Sequence, residues 1–325
     1  MPVASRSYGT TLRSGGKEHQ RGSVVHPLRH SRARGGEAAT LNEVGVTDLA
    51  LDGNVRGIPT GSTVLLAGAS DAGGDAFTYT SLATLMLAKH EPDLVPSGLA
   101  RRDDAIPESV TYLTFTHDRA HVYSELDAVL DGYQFETLTD NLTVADFSQR
   151  FMELLPVPGS LFDARRTSVD IEPSSDEPET GDPDDETFGR LLDDIGDRLA
   201  AADDDLIVLD SLTDLERARE FGLSQGRIVA FLLGLREAVV NWENVAFVKL
   251  HRPAAEGRSD DLVHGLLHGS VYFYSNDKGF ETYRTMRVGS FGGALDTERQ
   301  TVFESIVGPT GFRAKATKKI GPSNW

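Results

Sequence analysis

No cysteine occurs among the 325 residues, so disulfides and thiolate metal centres are excluded. Lysine is nearly as scarce: seven of the 32 basic residues are lysines and the other 25 are arginines. No apolar run approaches the ~20 residues that a membrane-crossing helix requires. Residues 1–36 also lack the apolar core of a secretory signal, so the expected location is cytoplasmic. Hydrophobic residues nevertheless make up 39% of the chain, enough for a globular core and too many for a disordered chain. The length allows one large domain or two smaller ones.

Charge is unevenly distributed. The chain carries 50 acidic and 32 basic residues, a formal net of -18. Residues 1–36 hold seven basic residues (Arg6, Arg13, Lys17, Arg21, Arg29, Arg32 and Arg34) against the single acid Glu18, which leaves -24 on the remainder. An acidic, lysine-poor and cysteine-free composition is similar to that of proteins from salt-loving archaea. A strongly acidic surface keeps such proteins solvated. At molar ionic strength exposed charges are screened within ~3 Å, so net charge says little about partners. Residues 1–40 are basic, rich in Ser, Gly and Arg, and without hydrophobic period. They read as a disordered tail, with a nucleic-acid or membrane-surface arm as the functional alternative. Nucleic acid is not the expected partner, because the acidic body opposes it and salt weakens phosphate contacts steeply.

From residue 41 to 317 the pattern is that of a folded domain. Strands are expected at 61–67, 110–115, 141–146, 206–210 and 245–250, with helices at 76–90, through Val122, Leu126 and Val129, at 187–202 and at 225–241. A run of strands follows at 270–274, 280–288, 301–307 and 312–317. Strands alternating with helices, then strands alone, predict an α/β fold with a mainly parallel sheet, flanking helices and an antiparallel C-terminal extension. The proline-bearing, acid-rich stretch at about 163–186 reads as a disordered surface insertion, and residues 318–325 as a C-terminal tail.

The stretch Gly68-Ala-Ser-Asp-Ala-Gly73-Gly74-Asp75 lies between a strand and a helix, the context of the phosphate-binding pattern G-x-x-x-x-G-K-[ST]. Gly68 and Gly73 match its glycines. Gly74 stands where the pattern has lysine, and Asp75 where it has the hydroxyl that holds Mg²⁺. Asp71 and Asp75 put negative charge where a polyphosphate would lie. Further on, Leu206-Ile-Val-Leu-Asp210-Ser211 has the form of a Walker B strand, whose terminal acid orients Mg²⁺ and water.

These segments resemble a RecA-superfamily ATPase domain of the KaiC/RadA-like branch. Residues 61–68 resemble the approach to its Walker A loop, residues 206–215 its Walker B segment, and Tyr283-Arg-Thr-Met-Arg287-Val-Gly289-Ser290 a late strand that carries Lys-x-Arg-Gly in KaiC-like domains. More narrowly, the chain resembles the haloarchaeal HTR-like group of predicted signal-transduction proteins. The resemblance implies a RecA-like fold over about residues 42–317 and assembly with protein partners or with KaiC-like subunits. It also implies a nucleotide cleft at Gly68, Ser70, Gly73, Gly74, Asp75 and Asp210.

The departures bear on activity. KaiC-like ATPases carry a Phe-Glu-Glu sequence after the second core strand, and Phe115-Thr116-His117-Asp118 stands there in this chain. Lysine, magnesium hydroxyl and catalytic glutamate are all replaced, so no catalytic residue and no cofactor is expected. The reading is of a degenerate P-loop and a regulatory or scaffolding pseudo-ATPase. The alternative is an atypical ATP-binding protein, with the amides of residues 70–75 cradling phosphate and Asp75 and Asp210 holding Mg²⁺.

Other features carry weaker expectations. His251 and Arg252 end a strand, either to sense a ligand or neighbour or, for Arg252, to pair with acids such as Asp210. His117, His251, His264 and His268 lack a matched carboxylate or cysteine set, and no metal site is expected of them. Arg313, Lys315, Lys318 and Lys319 reach for a neighbour's phosphate or pair with the acidic body. Lys318–Trp325 is also a candidate docking peptide with an aromatic anchor.

Overall fold

Leu206-Ile-Val-Leu-Asp210 and Val245-Ala-Phe-Val-Lys-Leu-His251 show almost no polar–apolar alternation, the mark of strands covered on both faces. In the computed structural model they lie at the centre of a nine-stranded sheet. The structure describes residues 30–31, 58–95, 106–157, 185–202, 205–252, 265–278, 281–291, 302–308 and 311–316. Most of the expected basic tail, most of the acidic insertion and all of residues 318–325 lie outside these ranges.

Two short strands, β1 (His30–Ser31) and β2 (Ile58–Pro59), pair in parallel. The main sheet contains β3 (Ser62–Gly68), β4 (Val110–Thr114), β5 (Leu142–Asp146), β6 (Leu206–Asp210), β7 (Val245–His251), β8 (Gly269–Lys278), β9 (Glu281–Phe291), β10 (Val302–Gly308) and β11 (Gly311–Ala316). Their spatial order is β11-β10-β9-β8-β3-β7-β6-β4-β5. The strands from β8 to β5 in that order run parallel, and β8 to β11 form an antiparallel meander. The fold class is therefore the expected one, α/β with an antiparallel extension.

Helices cover both faces. On one lie α1 (Gly74–His90), α2 (Arg119–Val129) and α3 (Gly132–Asp140), and the core there includes Leu82, Met86, Leu126, Leu138, Val208 and Phe247. On the other lie α4 (Ser148–Glu153), α5 (Asp185–Ala200), α6 (Leu212–Arg217) and α7 (Gln225–Trp242). Phe188, Leu191, Leu192, Ile195 and Leu199 of α5 recur at three- and four-residue steps and form its buried stripe. The helix α1 differs, being buried from Ala76 to Ala88 with no polar face. Its Thr78, Ser81 and Thr84 hydroxyls donate to the carbonyls four residues back, at 2.9, 2.6 and 2.7 Å, which satisfies them without water.

The antiparallel strands cause that burial by curling back over α1. Phe77 of α1 packs its ring 5.2 Å from Phe273 of β8 and 5.3 Å from Phe312 of β11, the latter edge-on. Thr80 Oγ1 accepts the Phe312 backbone N–H at 2.8 Å. Gly311 has a left-handed φ of 85°, and a Cβ there would lie 2.3 Å from Thr80 Oγ1, so only glycine permits this approach.

Candidate functional site

Parallel strands place their C-terminal ends along one edge, where the loops of an open α/β sheet hold functional groups. Here β7 lies between β3, which leads into the glycine loop, and β6, which ends at Asp210. Registers pair Leu66 with Lys249, Gly68 with His251, and Thr114 with Asp210. Because side chains alternate along a strand, Phe247, Lys249 and His251 share the face that α1 covers.

The loop keeps the shape its glycines suggest. Ser70–Ala72 form one 3-10 turn, Gly73 follows with a left-handed φ of 91°, and α1 starts at Gly74. It is also covered. A Cβ on Gly68 would meet the Phe273 carbonyl oxygen at 2.7 Å, and one on Gly74 would meet the Phe273 ring at 3.2 Å. Val307, Arg284 and Phe312 crowd Gly73, and Arg284 Nε donates to the Asp71 carbonyl oxygen at 2.7 Å. The cleft that remains, between Gly68, Gly74, Asp75, Lys249, His251 and Phe273, encloses about 10 Å³. That is room for about one water molecule.

Lys249 is the centre of the cleft. Its ammonium is buried and lies 2.7 Å from Asp75 Oδ1, 2.7 Å from Asp210 Oδ2 and 3.1 Å from the Tyr112 hydroxyl. Asp210 and Tyr112 accept hydrogen bonds from it, and Asp75 adds an ion pair. The Tyr79 and Tyr112 rings stand 5.5 and 5.7 Å from Nζ and add cation–π contacts. Asp210 is equally engaged: Oδ2 accepts from Tyr112 and Lys249, and Oδ1 lies 3.1 Å from His251 Nε2.

Burial disfavours charge on both central groups, and their pairing overcomes it. Against burial, Lys249 and His251 hold the Asp210 carboxyl well below the usual carboxylate range. Likewise Asp210, Tyr79 and Asp75 hold the Lys249 ammonium above the ordinary lysine range despite its burial. Burial raises the Tyr79 and Tyr112 hydroxyls well above theirs, so both remain neutral donors.

The structure thus gathers Gly68, Gly74, Asp75 and Asp210 around one cation that belongs to the chain itself. Ser70 is exposed on the 3-10 turn, and Gly73 lies beneath the C-terminal strands rather than in the cleft. Lys249, Tyr112 and Tyr79 were absent from the expected site. One signal marked Lys249: a lone lysine within an apolar strand of a chain that has seven lysines.

Residues around the cleft take other partners. Arg252 pairs with Glu216, and it is His251, with Lys249, that meets Asp210. Asp118 caps α2, its Oδ1 accepting the His121 backbone N–H at 2.8 Å, and so is committed to structure. Of the four histidines from which no metal site is expected, three lie among the described residues: His251 meets Asp210, His268 meets Thr63, and His117 stacks near His121. His264 and Lys318–Trp325 lie outside the described residues. In β9, Arg287 places its guanidinium 4.8 Å from the centre of the Tyr272 ring.

No protein-family model and no curated protein matches the chain. Among solved structures it is similar to a KaiC-like protein from the hyperthermophilic archaeon Pyrococcus horikoshii OT3. The TM-score is 0.51 with 15% identity, over 89% of this chain and 99% of that one. At that identity the likeness is one of fold alone, to the architecture of that KaiC-like protein. No helix among the described residues is long and apolar enough to cross a membrane.

Proposed function

We propose that this chain is a non-catalytic RecA/KaiC-like protein, a pseudo-ATPase with a regulatory or scaffolding role. The observation that carries this reading is the Lys249 ammonium, 2.7 Å from both Asp75 and Asp210. In a working P-loop site, lysine and Mg²⁺ neutralise phosphate oxygens. Here the positive charge within the cleft is already neutralised by two carboxylates, and Phe273 covers the loop glycines. A triphosphate would bring further negative charge against Asp75 and Asp210 while displacing the buried ammonium they share.

On this reading the protein acts by contact, through a protein partner or by assembly with KaiC-like subunits. The acidic, lysine-poor composition supports a haloarchaeal cytoplasmic setting. The family resemblance supports a place in signal transduction, as in the HTR-like group. The test is direct. In molar KCl with Mg²⁺, the purified chain is expected to release no phosphate from ATP above a protein-free blank, and calorimetric titration with ATP is expected to give no saturable heat. Wild-type turnover would sink the proposal, and saturable binding without turnover would favour the atypical nucleotide-binding alternative.

A further inference from the structure

Tyr79, whose ring faces Lys249, donates its hydroxyl to Glu125, a member of a second group of side chains that does not line the cleft. His117, His121 and Glu125 follow one another at four-residue steps. His121 and Glu125 are one turn apart on the same face of α2. His117 precedes the helix, and its loop is fixed from both ends. Thr114 Oγ1 donates to the His117 carbonyl oxygen at 2.7 Å, and the Asp118 cap holds the first turn of α2. Arg119 adds an anchor to β5, its backbone N–H donating to Asp146 at 2.9 Å.

The three side chains converge. The imidazole centroids are 4.2 Å apart, and His121 Nε2 lies 3.5 Å from Glu125 Oε1. One ligand atom from each residue lies within 4.8 Å of the others. Two ligands at ~2.1 Å from a tetrahedral ion stand ~3.4 Å apart, so a modest rotation of side chains would complete the set. Both histidines are exposed, which leaves them free to rotate and open to an ion from solvent. The other Glu125 oxygen accepts the Tyr79 hydroxyl at 2.5 Å, and Tyr79 is buried. That is the outer hydrogen bond that orients a ligating carboxylate.

We propose that His117, His121 and Glu125 form a binding site for a divalent transition metal ion of the Zn²⁺ class. Two imidazoles and one carboxylate suit such ions. Mg²⁺ and Ca²⁺ prefer oxygen ligands and are disfavoured here. Three protein ligands leave a coordination position for water or for a group from a partner. The site is independent of nucleotide binding, and its occupancy would lock the β4–α2 loop onto α2.

The test is calorimetric titration of ZnCl₂ into the full chain, in molar KCl and a non-coordinating neutral buffer. One equivalent is expected to bind, and the double substitution His117→Gln/His121→Gln is expected to weaken that binding about a hundredfold. Cobalt(II) provides a second readout, with visible d–d absorption present in the wild type and lost in the variant. The metal-free unfolding midpoint of the variant is expected to match the wild type, since both rings are exposed. No Zn²⁺ binding, binding unchanged by the double substitution, or equal binding of Mg²⁺ would each overturn the proposal.

Discussion

Lys249 and Arg150 both bind carboxylates, in opposite surroundings. The Lys249 side chain is 4% exposed between Asp75 and Asp210, whereas Arg150 and Asp194 join α4 to α5 with side chains 41% and 39% exposed. Water and salt can replace either partner of the outer pair. They reach the inner cluster far less, because Lys249 and Asp210 are 4% and 8% exposed, and only Asp75, at 29%, meets solvent appreciably. The many acids of this chain therefore do two unrelated things. On the surface they govern solvation, collectively and weakly per residue. In the cleft two of them hold one lysine, and that arrangement fixes what the cleft can accept.

The largest effect should come from removing the inner cation. Lys249→Met leaves the buried Asp210 without its cation and beside the partly exposed Asp75, and is expected to destabilise the fold by about 3–5 kcal/mol. Chemical unfolding midpoints at low and at molar KCl measure this, and the loss should persist in high salt. A loss below about 1 kcal/mol would erase the distinction between inner and outer clusters. Arg150→Ala is expected to change stability by at most about 1 kcal/mol, with the difference shrinking in molar KCl.

The smallest effect concerns His268, which is half-buried at the start of β8. Its Nδ1 accepts the Thr63 backbone N–H at 3.1 Å, which requires an unprotonated nitrogen. Burial and the nearby Arg236 lower its pKa, against an opposing pull from Glu237. The unfolded chain then binds a proton more readily than the native one. The contribution is thus fully present above the ordinary histidine range, near pH ~6.5, and is lost as pH falls through the lowered native value. Comparing unfolding midpoints at neutral and mildly acidic pH, His268→Asn should flatten part of that decline. An unchanged pH dependence would remove His268 from the account.

The strands of the main sheet were legible because they rest on local apolar runs, from Ser62–Gly68 to Gly311–Ala316, whereas their order in the sheet was not. Short helices were harder. Nine-residue α3 has too few turns for a period to stand out, although its Asp131-x-x-Gln134 capping box is a local signal. The glycine loop and Asp210 were visible as motifs. What occupies the space between them was not, because Lys249 reaches it through the register of β7 against β3 and β6. The Phe273 and Phe312 cover depends on the curl of the antiparallel strands, which no local pattern encodes. His117 was noticed as a replaced acid, but its neighbours became apparent only when α2 set His121 and Glu125 beside it.

The bond from the Phe312 backbone N–H to Thr80 spans 232 positions along the chain. Closing so long a loop carries a conformational-entropy penalty that nearby contacts do not share, and topologies rich in such closures fold slowly. During synthesis α1 leaves the ribosome long before β11 exists to meet it. Until then the buried flank of α1, Phe77 and Thr80 included, has no lid. The helix behind the glycine loop is therefore among the first elements made and among the last completed.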